Sequence, residues 1–109
     1  MAYRFWNSCW QFSGKDRPAV VMQNDLLGIK HLNTVVVIPF TSNLVSSEHE
    51  PNIFFTKEET GLSKDSVAVI HLIGAANKFC FERKISKLSE ENYQKLIDAV
   101  VKLITNKIT

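Results

Sequence analysis

Arg17-Pro18-Ala19-Val20-Val21-Met22-Gln23-Asn24-Asp25 is followed, after a short connection, by Asn33-Thr34-Val35-Val36-Val37-Ile38-Pro39-Phe40-Thr41-Ser42-Asn43. Both are apolar, strand-like runs that carry polar residues at one end. The first opens on an arginine and the second closes on two hydroxyls. Pro18 suits the start of a strand, because proline lacks the N–H that a mid-strand position would use. If the two runs pair in one sheet, Arg17 and Thr41 meet at one end of it. A guanidinium held beside small hydroxyls is a pattern suited to binding phosphate.

Residues 3–12 are rich in β-formers and predict a first strand, with a turn at 13–16. Strands follow at 18–24 and 33–40, joined by a loop around Gly28. The β-branched run at 34–38 predicts a strand covered on both faces. Residues 43–52 are polar and predict an exposed loop. A short strand is expected at 53–55, a turn at 60–65, a strand at 66–72 and a further short one at 79–81.

Near the C-terminus the apolar period changes from two to between three and four. Ser89 is placed as an N-cap, Glu90 and Glu91 fall in the first turn, and Leu88 and Tyr93 are spaced as a hydrophobic staple. Tyr93, Leu96, Ile97, Val100, Val101 and Ile104 then recur on one helix face. Several short strands and one terminal helix imply an α+β fold, a mostly antiparallel, barrel-like sheet with a helix packed on it.

The chain has 109 residues, 45% of them hydrophobic and 22% charged, which is the composition of a single ordinary globular domain over 1–109. It has no apolar run long enough to span a bilayer and no signal-peptide layout, so no membrane partner and a cytoplasmic location are expected. The net charge of +2 is too small to argue for general nucleic-acid binding. Arg4, Lys15, Arg17 and Lys30 against Asp16 and Asp25 leave the excess in the first 45 residues, around the proposed site. Cys9 and Cys80 are far apart without C-x-x-C spacing, and are read as reduced core thiols. His31, His49 and His71 lack metal-ligand spacing and the acids show no carboxylate pairing, so neither a metal nor any other cofactor is expected. Trp6, Trp10 and Phe12 share one side of a regular first strand, where they serve either the core or stacking on unpaired bases.

The quoted runs resemble the MazF/PemK family of toxin–antitoxin endoribonucleases. Arg17-Pro18 and the strand after it are similar to the family's arginine-proline strand, and 34–43 to its next strand, which ends at a threonine or serine. Thr60-Gly61-Leu62-Ser63-Lys64-Asp65-Ser66 and Lys84-Ile85-Ser86-Lys87-Leu88-Ser89 match two later pieces in the same order. The resemblance covers about residues 15–105. It implies an SH3-like barrel, similar also to CcdB toxins, that acts as a homodimer. It further implies that the protein cleaves single-stranded RNA without a metal and is neutralised by a cognate antitoxin.

Residue by residue, the resemblance puts the catalytic arginine on Arg17 and the catalytic hydroxyl on Thr41, with Ser42 alongside. Lys15, Trp10, Asn43 and His71 are the expected RNA-binding residues. The chain departs from the family pattern in two places. The Gly-Asp that usually starts the first strand is absent. His71, Leu72 and Gly74 stand where many members carry Glu-Gln and then an arginine. Two alternatives therefore remain beside the nuclease: a CcdB-like, non-enzymatic toxin that binds DNA gyrase, and a degenerate member that keeps only antitoxin binding.

Overall fold

The valine-rich run forms the strand around which the sheet is organised. The computed structural model describes residues 3–8, 17–22, 33–77 and 81–105, and of these 3–8, 17, 76–77 and 81–86 by backbone alone. Its strands are β1 (Tyr3–Ser8), β2 (Arg17–Val21), β3 (Thr34–Thr41), β4 (Ile53–Phe55), β5 (Ser66–Ala68), β6 (Gly74–Asn77) and β7 (Phe81–Leu88). Two α-helices, α1 (Lys57–Thr60) and α2 (Glu90–Thr105), complete the α+β fold. None of the described helices is long and apolar enough to cross a membrane.

The strands run in the order β4-β5-β3-β2-β1-β7, and every pairing is antiparallel. β3 has β2 on one edge. Its other edge is shared by β5, near the C-terminal end of β3, and β6, near its N-terminal end. α1 follows β4 at one end of this path and lies against β7 at the other end. The described pairings leave the sheet open, yet its two ends come together in the manner of a barrel.

Alternation along β2 and β3 separates two apolar clusters, because successive strand residues face opposite sides. Val20, Ile38 and Phe40 join Phe55, Leu62, Ala68 and Ile70 in the main core, which α2 closes with Tyr93, Leu96 and Ala99. Phe40 and Phe55 stack at a tilt with centroids 5.9 Å apart. Each large apolar side chain buried here contributes about 1.5–3 kcal/mol. Ala19, Val35 and Val37 form the second cluster, on the other face. The expected coverage of 34–38 on both faces is corrected at its start: Thr34 and Val36 are exposed, whereas Val35, Val37 and Ile38 are buried.

The predicted helix is present, with the predicted cap: the Asn92 N–H donates to Ser89 Oγ at 3.2 Å. Leu88 and Tyr93 are both buried, as a staple requires. Its apolar stripe is shorter than expected, however. Val101 and Ile104 are exposed, and the buried positions are Asn92, Tyr93, Leu96 and Ala99.

Two other expectations are corrected, and one element is added. The polar 43–52 segment is exposed but contains a 3-10 turn, Leu44–Glu48, capped by Asn43. The strand expected at 66–72 stops at Ala68, because Ile70–Leu72 is a second 3-10 turn that redirects the chain from β5 to β6. α1 is an addition. A capping box, with Thr56 and Glu59 each bonding the other's backbone N–H, starts it, and Gly61 ends it at φ 77°, a left-handed conformation natural to glycine. The turn expected at 13–16, the loop around Gly28 and both cysteines lie outside the described residues.

Candidate active site

The register of β2 on β3 fixes what stands near Thr41. Ala19 pairs with Pro39, Val20 with Ile38 and Val21 with Val37, and the Met22 N–H continues the ladder to the Val36 carbonyl at 2.8 Å. The described ladder ends at Ala19↔Pro39, two residues short of both Arg17 and Thr41. Arg17 itself pairs with Ser8 of β1.

Thr41 is held by a local bond. Its Oγ1 accepts the Asn43 N–H at 3.2 Å, a hydroxyl turn that fixes the side chain at the end of the strand. A threonine oxygen has two lone pairs and one O–H. The bond uses one lone pair, which leaves the O–H able to donate to an anionic oxygen. Thr41 is only 7% exposed. Ser42 beside it is exposed, as is Asn43, whose Oδ1 accepts the Val45 N–H at 3.2 Å and so caps the following 3-10 turn.

His71 lies in the Ile70–Leu72 turn rather than in a strand, and it is exposed. The Val69 N–H bonds the Pro39 carbonyl, which puts this turn alongside the middle of β3, roughly 7–14 Å along the strand from Thr41. Asn52 holds the turn in place. It accepts the Ile70 N–H at 2.9 Å and donates to the Ser46 carbonyl at 3.1 Å, tying both 3-10 turns together. Lys15, Trp10 and Phe12 lie outside the described residues, as does His31.

Two features near Thr41 were not read from the sequence. Thr41 pairs with Val67, and Val67 pairs with Phe54 of β4. Directly paired residues share a face of the sheet, so Phe54, 43% exposed, stands on the Thr41 side, two strands or about 10 Å away. The alternation Ile53-Phe54-Phe55 carried that signal. Next to Ser42 is an open pocket of about 380 Å³ lined by Ser42, Leu44, Lys57, Ser63, Lys64 and Asp65. A larger cleft, about 810 Å³, runs between residues 50–53 and α2 and includes neither Thr41 nor Ser42.

Fold and site together define a small antiparallel, barrel-like α+β protein with a polar end where β2 begins and β3 stops. A family model of PemK-like, MazF-like toxins of type II toxin–antitoxin systems matches residues 11–104, and the chain belongs to that family. It is 29% identical over 87 residues to the Endoribonuclease MazF of Staphylococcus saprophyticus, an alignment that covers 80% of this chain and 72% of the relative. Among solved structures it is similar to the Mycobacterium tuberculosis toxin MazF-mt6. The TM-score there is 0.70 at 20% identity, over 94% of this chain and 96% of that one. The latter similarity establishes the fold.

Proposed function

We propose that this toxin is an endoribonuclease that cuts single-stranded RNA by attack of a ribose 2′-OH on the adjacent phosphate. The 2′-oxygen–phosphorus bond forms as the bond from phosphorus to the 5′-oxygen breaks. The 2′-OH proton leaves, the 5′-oxygen gains one, and a 2′,3′-cyclic phosphate remains. The nucleophile belongs to the substrate, so the reaction calls for no metal.

The observation that carries this reading is the β2–β3 register, which runs from Ala19↔Pro39 toward Arg17 and Thr41. The charge that builds up on the phosphorane is what the enzyme must stabilise, and one positioned donor contributes roughly 3–4 kcal/mol to that. Arg17 takes this role. It is a poor base, since guanidinium keeps its proton in proteins. Thr41 donates its hydroxyl to the phosphate or aligns the 2′-OH, and Ser42 extends the polar edge. Family membership and the Staphylococcus saprophyticus relative's name support the activity. We extend the family reading to a single-domain, cytoplasmic homodimer silenced by a cognate antitoxin.

The test is direct. Purified protein is incubated with a long single-stranded RNA in EDTA. Discrete fragments with cyclic-phosphate ends, formed far more slowly by Arg17→Ala, are the expected result. Intact RNA together with inhibited gyrase supercoiling would overturn the nuclease reading.

A further inference from the structure

We infer that the pocket lined by Lys57, Ser63, Lys64 and Ser42 holds a second backbone phosphate of the RNA, next to the one that is cut. This rests on the nuclease reading above and names a further part of its substrate site.

Position is the first consideration. Ser42 directly follows Thr41, and it is one of the residues that line the pocket. A strand whose scissile phosphate lies at Thr41 therefore passes the pocket mouth within the span of one or two nucleotides. The pocket is open, at about 380 Å³, which is room enough for a phosphate.

Charge comes next. The lining carries two ammoniums, Lys57 and Lys64, against one carboxylate, Asp65. Asp65 already has a backbone partner, since its Oδ1 accepts the Lys57 N–H at 2.8 Å. That bond fixes the start of α1 against the 63–65 turn and so holds the two lysines on one rim. Both lysines are exposed. Among the described residues neither ammonium is in an ion pair or hydrogen bond. The Ser63 and Ser42 hydroxyls, also exposed, add two neutral donors. Paired cations with small hydroxyls and a fixed backbone suit a diester phosphate, which carries one negative charge and accepts several hydrogen bonds.

A phosphate contact has a signature that a structural role lacks. Each phosphate neutralised on a single strand adds about 0.7 to the slope of log affinity against log salt. The probe is a mixed-sequence RNA, 2′-O-methylated throughout so that it cannot be cut, with binding followed from about 50 to 200 mM salt. The double variant Lys57→Gln/Lys64→Gln should lower the slope by about 0.7 and weaken binding about fivefold at roughly 0.1 M salt, with each single variant giving part of that effect. Lys57→Arg and Lys64→Arg should keep both.

Equal slopes for wild type and the double glutamine variant, in a protein that does cut RNA, would overturn the second phosphate site and leave the nuclease reading standing. A wild type that neither binds nor cuts RNA would overturn both.

Discussion

Ala19 lies directly across from Pro39 in the β2–β3 ladder, and from that one pairing the proposed chemistry takes its geometry. An antiparallel register cannot slip by a single residue without turning a whole strand inside out. Here such a slip would take Val20 and Ile38 out of the main core, where both are fully buried. Packing of the core therefore protects the alignment that leads to Arg17 and Thr41.

Arg17→Ala should lower the cleavage rate by roughly 10²–10³-fold, the usual effect of removing one donor aimed at developing charge. Arg17→Lys should recover little of it, because an ammonium cannot reproduce a planar two-pronged contact. Fragment formation over time on a defined RNA measures both. A lysine variant as active as wild type would show that only the charge matters.

Thr41 allows a sharper separation of roles. Thr41→Ser keeps the hydroxyl and its bond to the Asn43 N–H, so most activity should remain. Thr41→Ala removes both and should cost roughly 10²-fold in rate. Unchanged activity in Thr41→Ala would remove the hydroxyl from the mechanism.

Asn52→Ala should destabilise the fold by about 1–3 kcal/mol, since it strips the half-buried Ile70 N–H and the Ser46 carbonyl of their partner. Thermal unfolding would report this as a lower Tm, by about 4–8 °C per kcal/mol for a domain of this size. No change in Tm would mean that water replaces both bonds.

Leu96 is fully buried at the middle of α2, among Tyr93, Ala99 and the sheet core. Leu96→Ala should destabilise by about 2–5 kcal/mol through lost contact and a residual cavity. Denaturant unfolding measures it, and Ile104→Ala, on an exposed residue, is the matched control with little expected effect.

What the sequence revealed about this fold followed its local signals. β-Branched residues at 34–38 announced β3, and Ser89, Leu88 and Tyr93 announced the start of α2. The capping box of α1 was also written in the chain, as Thr56-Lys57-Glu58-Glu59, but one turn of helix is too short to leave an apolar period. β6 had no local signal. Gly74-Ala75-Ala76-Asn77 is extended because Thr34–Val37 offers it an edge, a case where pairing overrides propensity. The end of β5 was illegible for the opposite reason. Ser66-Val67-Ala68-Val69-Ile70-His71-Leu72 reads as one strand by composition, but Asn52, distant in sequence, captures the Ile70 N–H and stabilises the turn.

The candidate site was legible only at its two ends. Arg17 and Thr41 could be named from the polar borders of two apolar runs. Lys57, Ser63 and Lys64 could not be joined to Ser42, because the bond from Asp65 to the start of α1 is what gathers them.

The most direct measurement is a double-mutant cycle on the chemical step, comparing wild type, Arg17→Ala, Thr41→Ala and the double variant at saturating RNA. Groups that act on one phosphate are strongly non-additive. The double variant should thus cut RNA about as slowly as the slower single variant. A double variant slowed by the full product of the two single effects would mean that positions 17 and 41 serve different events, and would contradict the account.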